Sequence, residues 1–206
     1  MALLPSLTLA LIALTVVASI AAFSDQRLFR ALLFEPFVIK ARGQWYRFVS
    51  HAFIHANWPH LLVNMLVLFS FGQQVERALA AYTVFPAAVF VTLYLGGVVF
   101  SALPGFKRHA HDPDYRAVGA SGAVSAVLFA YVVMTPANGI QFLFFPRPVP
   151  AWIFGALYLA YSWYMDKRNE DNVAHDAHFY GAVFGILFMV ITEPRLVPAF
   201  FEQLLA

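Results

Sequence analysis

Six apolar stretches, at residues 3–22, 59–79, 83–103, 120–134, 150–165 and 177–191, follow one another along a chain of 206 residues. A helix that crosses a bilayer takes about 20 mostly apolar residues. Stretches of this length and spacing leave no room for a separate soluble domain. The remaining composition agrees: 61% hydrophobic, 12% charged, mean hydropathy +0.70, where soluble domains carry about 25% charge. Too few polar side chains remain to coat a water-soluble globule, and disorder, which needs low hydrophobicity, is excluded too. The expected fold is all-α and polytopic, one membrane domain over residues 1–206. The first stretch reads as a retained span, because it lacks a basic n-region and is longer than a signal peptide's apolar core.

Charge and cysteine narrow the chemistry. The chain has no Cys, so disulfides, thiolate nucleophiles and Cys-ligated metals are ruled out. Net charge is +2 and the charges are scattered; without a basic run there is no surface for nucleic acid. The connections are unequal. Residues 23–58 mix Phe29, Leu32, Phe34 and Phe37 with Arg27, Arg30, Lys40 and Arg47, a pattern for a long first loop partly immersed in the interface. Residues 104–118, 137–149 (with Phe144-Phe145) and the polar cap 166–176 (with Asn169, Glu170 and Asp171) complete the loops.

Polar groups inside apolar spans are costly and point to function. His60 and Asn64, four apart, share one face at the start of the second span. Asn57 suits its N-cap and Pro59 its first turn. Gly119-Ala120-Ser121-Gly122 opens the fourth span. A serine there is either a helix cap or an exposed nucleophile whose neighbouring N–H groups can hold an oxyanion. In the sixth, His178 stands one turn before Gly181 and Gly185, a small-residue face that brings two helices together. Even-numbered spans start on the same side of the membrane. His60, Asn64, Ser121 and His178 therefore lie at similar shallow depth, and they supply the parts of an acyl-transfer site: nucleophile, base and oxyanion donors.

With these residues in order, the chain resembles the rhomboid family of intramembrane serine proteases, in its basic six-helix form. The motifs are Trp45-Tyr46-Arg47, His51-Ala52-Phe53-Ile54-His55, His60-x3-Asn64, Gly72-x3-Glu76, Gly119-Ala120-Ser121-Gly122 and Ala177-His178-x2-Gly181-x3-Gly185. The resemblance implies that Ser121 is the nucleophile and His178 its base, a dyad without an Asp. It implies an oxyanion hole of His60, Asn64 and the Ser121 N–H, with Gly119, Gly122, Gly181 and Gly185 packing the helices at the site. The fifth span and the cap at 166–176 would gate entry of transmembrane-helix substrates from the lipid bilayer. No cofactor and no metal are called for.

Two departures accompany the resemblance. Tyr46 stands between Trp45 and Arg47, which the family usually has adjacent. Position 125, where many members carry a tyrosine that stacks on the catalytic histidine, holds Ser125. Either the Ser125 hydroxyl hydrogen-bonds near the dyad or another aromatic such as Tyr180 supplies the stack. The resemblance also implies a bacterial inner membrane with the active site towards the outer face. Arg27, Arg30, Lys40, Arg42, Arg47, Lys107, Arg108, Arg116, Lys167 and Arg168 then lie outside, and Arg77, Arg147 and Arg195 inside, the reverse of the positive-inside trend.

Three other readings compete. One is a catalytically silent relative that binds transmembrane helices, although both Ser and His are present. The second is a metal hydrolase using His51/His55 or His175/His178; the Glu of a His-Glu-x-x-His motif is absent. The third is a small transporter, which would want ionisable groups near the midplane.

Overall fold

The computed structural model describes residues 6–141, 146–168 and 173–205. The Phe144-Phe145 pair and Asn169, Glu170 and Asp171 of the polar cap lie outside the described residues, as do residues 3–5 of the first stretch.

Helix α1, Leu7–Ser24, is capped by Ser6, whose side chain accepts from the Leu9 N–H. Its apolar residues point outward, Leu14 and Val17 among them, while Thr8, Thr15 and Ser19 are fully buried. This is a membrane helix turned polar side in. Its inner partner is Glu76, whose carboxylate accepts from Ser6 Oγ (2.8 Å), Leu7 N (2.7 Å), Thr8 N (3.1 Å) and Thr8 Oγ1 (2.8 Å).

The first loop folds into three short helices, α2 (Gln26–Leu32), α3 (Pro36–Arg42) and α4 (Arg47–Ser50), and a 3₁₀ turn at His51–Phe53. It buries Leu33, Phe34, Ile39 and Ile54. Arg47 ties it together: 6% exposed, it pairs with Glu35 at 3.0 Å and donates to the carbonyls of Arg30 and Leu33. An antiparallel bridge joins Phe34 to Ala117, so this loop is stitched to the segment just before Ser121.

Next comes α5 (Trp58–Val67), which runs through a widened turn at Leu68–Gly72 into α6 (Gln73–Leu79). Helix α7 spans Pro86–His109. It continues past Pro104 beyond the expected end at residue 103, and its last turn carries Lys107, Arg108 and His109, cations that suit a helix C-terminus. Helix α8 (Ser121–Met134) is the hub, with every residue from Gly122 to Met134 buried. A two-residue antiparallel pair, β1 (Gly139–Ile140) with β2 (Val149–Pro150), leads into α9 (Ala151–Arg168). Helix α10 is His175–Thr192. A further helix that the apolar pattern does not announce, α11 (Leu196–Leu205), closes the described chain; Gln203 Nε2 donates to the Met134 carbonyl and so satisfies the end of α8.

Among the described residues, α1, α7 and α10 are each long and apolar enough to cross a membrane, and Arg47–Phe53 with Trp58–Leu79 forms a pair bent by 94°. At 14 residues, α8 is about 21 Å long, short of the ~30 Å hydrocarbon core. Walled in by protein on all sides, it has no need to match the bilayer. The chain is a predominantly helical, polytopic membrane protein.

Candidate active site

The turn into α8 is built by its neighbours. Gly119 has φ +113, a left-handed conformation open mainly to glycine. Its N–H donates to the His51 carbonyl at 2.9 Å. A Cβ at Gly119 would stand 2.6 Å from His60 Cε1 and 2.8 Å from His60 Nε2, so the imidazole of His60 lies directly on this turn. His55, fully buried, lies edge-on to His60 with ring centroids 4.9 Å apart. The Ala120 N–H donates to His55 Nε2 at 3.4 Å, His55 Nδ1 lies 3.1 Å from Ser19 Oγ, and Ser19 Oγ donates to the Phe53 carbonyl. The tautomer with hydrogen on Nδ1 satisfies all three. A chain of polar contacts thus runs from α1 through the first loop to the residue before Ser121.

Ser121 is the first residue of α8; the N-cap is Ala120, and no side chain caps this helix. The serine hydroxyl is therefore not spent on capping. It lines a cavity of about 30 Å³ together with His51, Ser101, Gly122 and Asp176, room for about one or two waters. Asn57 caps α5 as its position implied, accepting from the His60 N–H at 2.9 Å. Asn64, one turn on and 5% exposed, donates from Nδ2 to the His60 carbonyl at 2.9 Å; an amide NH₂ carries a second hydrogen.

His178 sits in the first turn of α10, half-buried. One turn on, a Cβ at Gly181 would stand 2.2 Å from the Gly122 carbonyl oxygen, and one at Gly185 2.2 Å from that of Ala126. The backbones of α8 and α10 touch along this seam, which sets the turn of His178 beside the turn of Ser121. Gly122 itself packs on Ser101 of α7.

The ring facing His178 is that of Tyr158 on α9, with centroids 6.3 Å apart and planes 28° apart. Tyr180, the aromatic considered from sequence, stacks instead on Phe179 edge to face. Ser125, 2% exposed, shares a 2.6 Å hydrogen bond with the Tyr158 hydroxyl. Sequence reasoning missed Tyr158: it is one aromatic among many in its span, and only folding brings it to residue 125. His175 lies edge-on to His178, centroids 5.9 Å apart.

Charged groups rim the site. Arg108 pairs with Asp166 at 2.9 Å and lies 3.8 Å from Asp176, joining the ends of α7, α9 and α10. Burial and the nearby Asp176 carboxylate push the Tyr115 hydroxyl up to about 12. Among the described residues, no three His, Asp or Glu gather closely enough to hold a metal ion.

A family model described as the Rhomboid domain matches residues 42–195. Rhomboid-related protein 1 of Caenorhabditis elegans is 30% identical over 82% of this chain and 46% of its own length. Rhomboid protease GluP of Bacillus subtilis is 27% identical over 70% of this chain and 26% of its own. RHOMBOID-like protein 12, mitochondrial, of Arabidopsis thaliana is 26% identical over 68% and 44%. The chain spans about half the length, or less, of these curated relatives. A domain match covering most of the chain, on a predominantly helical polytopic fold, makes this protein a member of the rhomboid family.

Proposed function

We propose that this protein is an intramembrane serine endopeptidase that hydrolyses peptide bonds in or near transmembrane helices of other membrane proteins. The observation that carries the reading is the setting of Ser121. Its hydroxyl is unspent at the head of a buried helix, on a glycine turn against His60, beside the turn that carries His178. Similarity to relatives named rhomboid proteases supports the same reading.

In this mechanism Ser121 Oγ attacks the scissile carbonyl carbon as His178 takes its proton. The carbonyl oxygen becomes an oxyanion held by the Ser121 N–H, the second hydrogen of Asn64 Nδ2 and His60. Collapse breaks the C–N bond, and His178 returns the proton to the leaving amine. Water then hydrolyses the acyl-enzyme through the same imidazole. A bilayer interior excludes water; the small cavity that Ser121 lines with Ser101 and Asp176 is where it would be held. An intact substrate helix hides its carbonyls in hydrogen bonds, so a helix that unwinds locally is the substrate class. It enters from the lipid past α9.

The test is cleavage of a labelled transmembrane-helix substrate by purified protein in detergent, beside Ser121→Ala and His178→Ala. Product from the wild type alone, with both variants folded, supports the dyad. Product from Ser121→Ala overturns it. Folded wild type that captures substrate helices without cutting them would instead mark a helix-binding relative.

We place the protein in a bacterial inner membrane with the site facing outward. One cysteine at exposed Asp114 would be the chain's sole thiol. Labelling of that thiol by an impermeant reagent from the cytoplasmic side alone would reverse the orientation.

A further inference from the structure

An imidazole that must accept a proton from one atom and return it to another works only while its plane is held. In this protein one face of His178 is met by an aromatic ring from another helix. Tyr158 lies with its centroid 6.3 Å from that of His178 and its plane 28° away, an offset stack within the usual range of aromatic pairs. The tyrosine is itself fixed at three points. Its hydroxyl shares the 2.6 Å hydrogen bond with Ser125. Phe129 and Phe154 pack on its ring with centroids at 5.5 and 5.8 Å. Ser125 lies one turn below Ser121 on the same face of α8, so nucleophile and anchor share one rigid helix.

We infer that Tyr158 is the positioning residue for His178, and that Ser125 holds Tyr158 at its post. The inference rests on the Ser121–His178 reading above. The ring bars rotation of the imidazole to one side. The hydroxyl pair fixes how far the ring reaches from α9 towards α10. A buried serine hydroxyl at position 125 leaves space that a larger side chain would fill, and the phenol tip of Tyr158 occupies it. The aromatic partner of the base therefore comes from α9, a helix whose buried residues are only Ala151, Gly155 and Ser162.

The experiment measures kcat and KM for a labelled transmembrane-helix substrate in detergent, with melting temperature measured on every variant. Tyr158→Leu removes the ring; the expected result is a kcat lower by about 10- to 100-fold with KM within about twofold, the size of effect that a misplaced catalytic group produces. Tyr158→Phe keeps the ring but gives up the Ser125 bond, so kcat should fall by about two- to fivefold, between wild type and Tyr158→Leu; a kcat equal to wild type overturns Ser125's part in the arrangement. Adding Ser125→Tyr to Tyr158→Leu returns an aromatic ring to the same space from α8 and should recover most of the loss. A purely structural role for Tyr158 would lower the melting temperature without this selective fall in kcat or its recovery by a ring from another helix. Should Tyr158→Leu fail to fold, Tyr158→Met, unbranched and of similar reach, takes its place. Wild-type kcat in the folded ringless variant, with Ser121→Ala inactive, overturns the positioning role and leaves the dyad standing. Cleavage by Ser121→Ala overturns the dyad itself, and this inference with it.

Discussion

Gly181 lies against Gly122 so closely that a methyl group on Gly181 would stand 2.2 Å from the Gly122 carbonyl oxygen. Neither backbone can yield without moving a helix. Gly181→Ala should therefore pry α10 from α8, lowering stability by about 1–3 kcal/mol, the cost of overpacking, and abolishing cleavage by parting Ser121 from His178. Gly105→Ala is the control. Its new methyl would meet nothing nearer than the Tyr115 hydroxyl at 3.6 Å, and alanine favours the helix by about 1 kcal/mol. Melting temperatures of the two variants should move in opposite directions.

Asn64 tests the oxyanion hole apart from the dyad. Asn64→Ala should reduce kcat by about 10²–10³-fold, the loss of one oxyanion donor, with the protein still folded. Ser121→Ala should leave no measurable cleavage. Equal kcat for Asn64→Ala and wild type would remove Asn64 from the site.

Arg47 holds the first loop through Glu35 and two backbone carbonyls. Arg47→Ala removes one of two cations on Glu35, leaving Arg116 at 3.0 Å, and frees two backbone carbonyls, so the loss should fall below the roughly 3–5 kcal/mol of a fully broken buried pair. Faster hydrogen exchange in α2 to α4 and in residues 116–119 should follow, because the Phe34–Ala117 bridge depends on that loop. Exchange unchanged from the wild type would assign the loop's order to its apolar contacts alone.

Tyr115 sets an alkaline limit. Its folded hydroxyl titrates at about 12, and an unfolded tyrosine at about 10. Below pH 10 both forms are neutral and stability is unaffected. Above it the unfolded chain gives up the proton first, so stability falls as pH rises from 10 to 12. Tyr115→Phe should remove that part of the loss, seen as a shallower decline of melting temperature across the same window.

The candidate residues stood out because most of them sit near a helix start, where apolar runs and caps announce themselves. Asn57 as cap and the Gly119 turn are local features, and local chemistry decides them. The contacts that orient the site are not local. Ser125 and Tyr158 are 33 residues apart, and the Ser125 hydroxyl is too common a group to point to its partner. Helix α7 outlasted its expected end because Pro104 does not stop it and the charges that follow favour a helix terminus. Helix α11 is short and amphipathic, a pattern shared with many loops, and needs the end of α8 to bind.

Glu76 has a consequence for how α1 is held. Its three partner residues, making four hydrogen bonds, lie 68 to 70 residues earlier in the chain, and Ser19 reaches its own partners 34 and 36 residues later. The polar groups of α1 are thus matched by segments far along the chain rather than by their own neighbourhood. Glu76 fixes the start of α1, and Phe53 and His55 fix its far end. Seating α1 through these long-range bonds completes the support beneath Ala120 and Ser121.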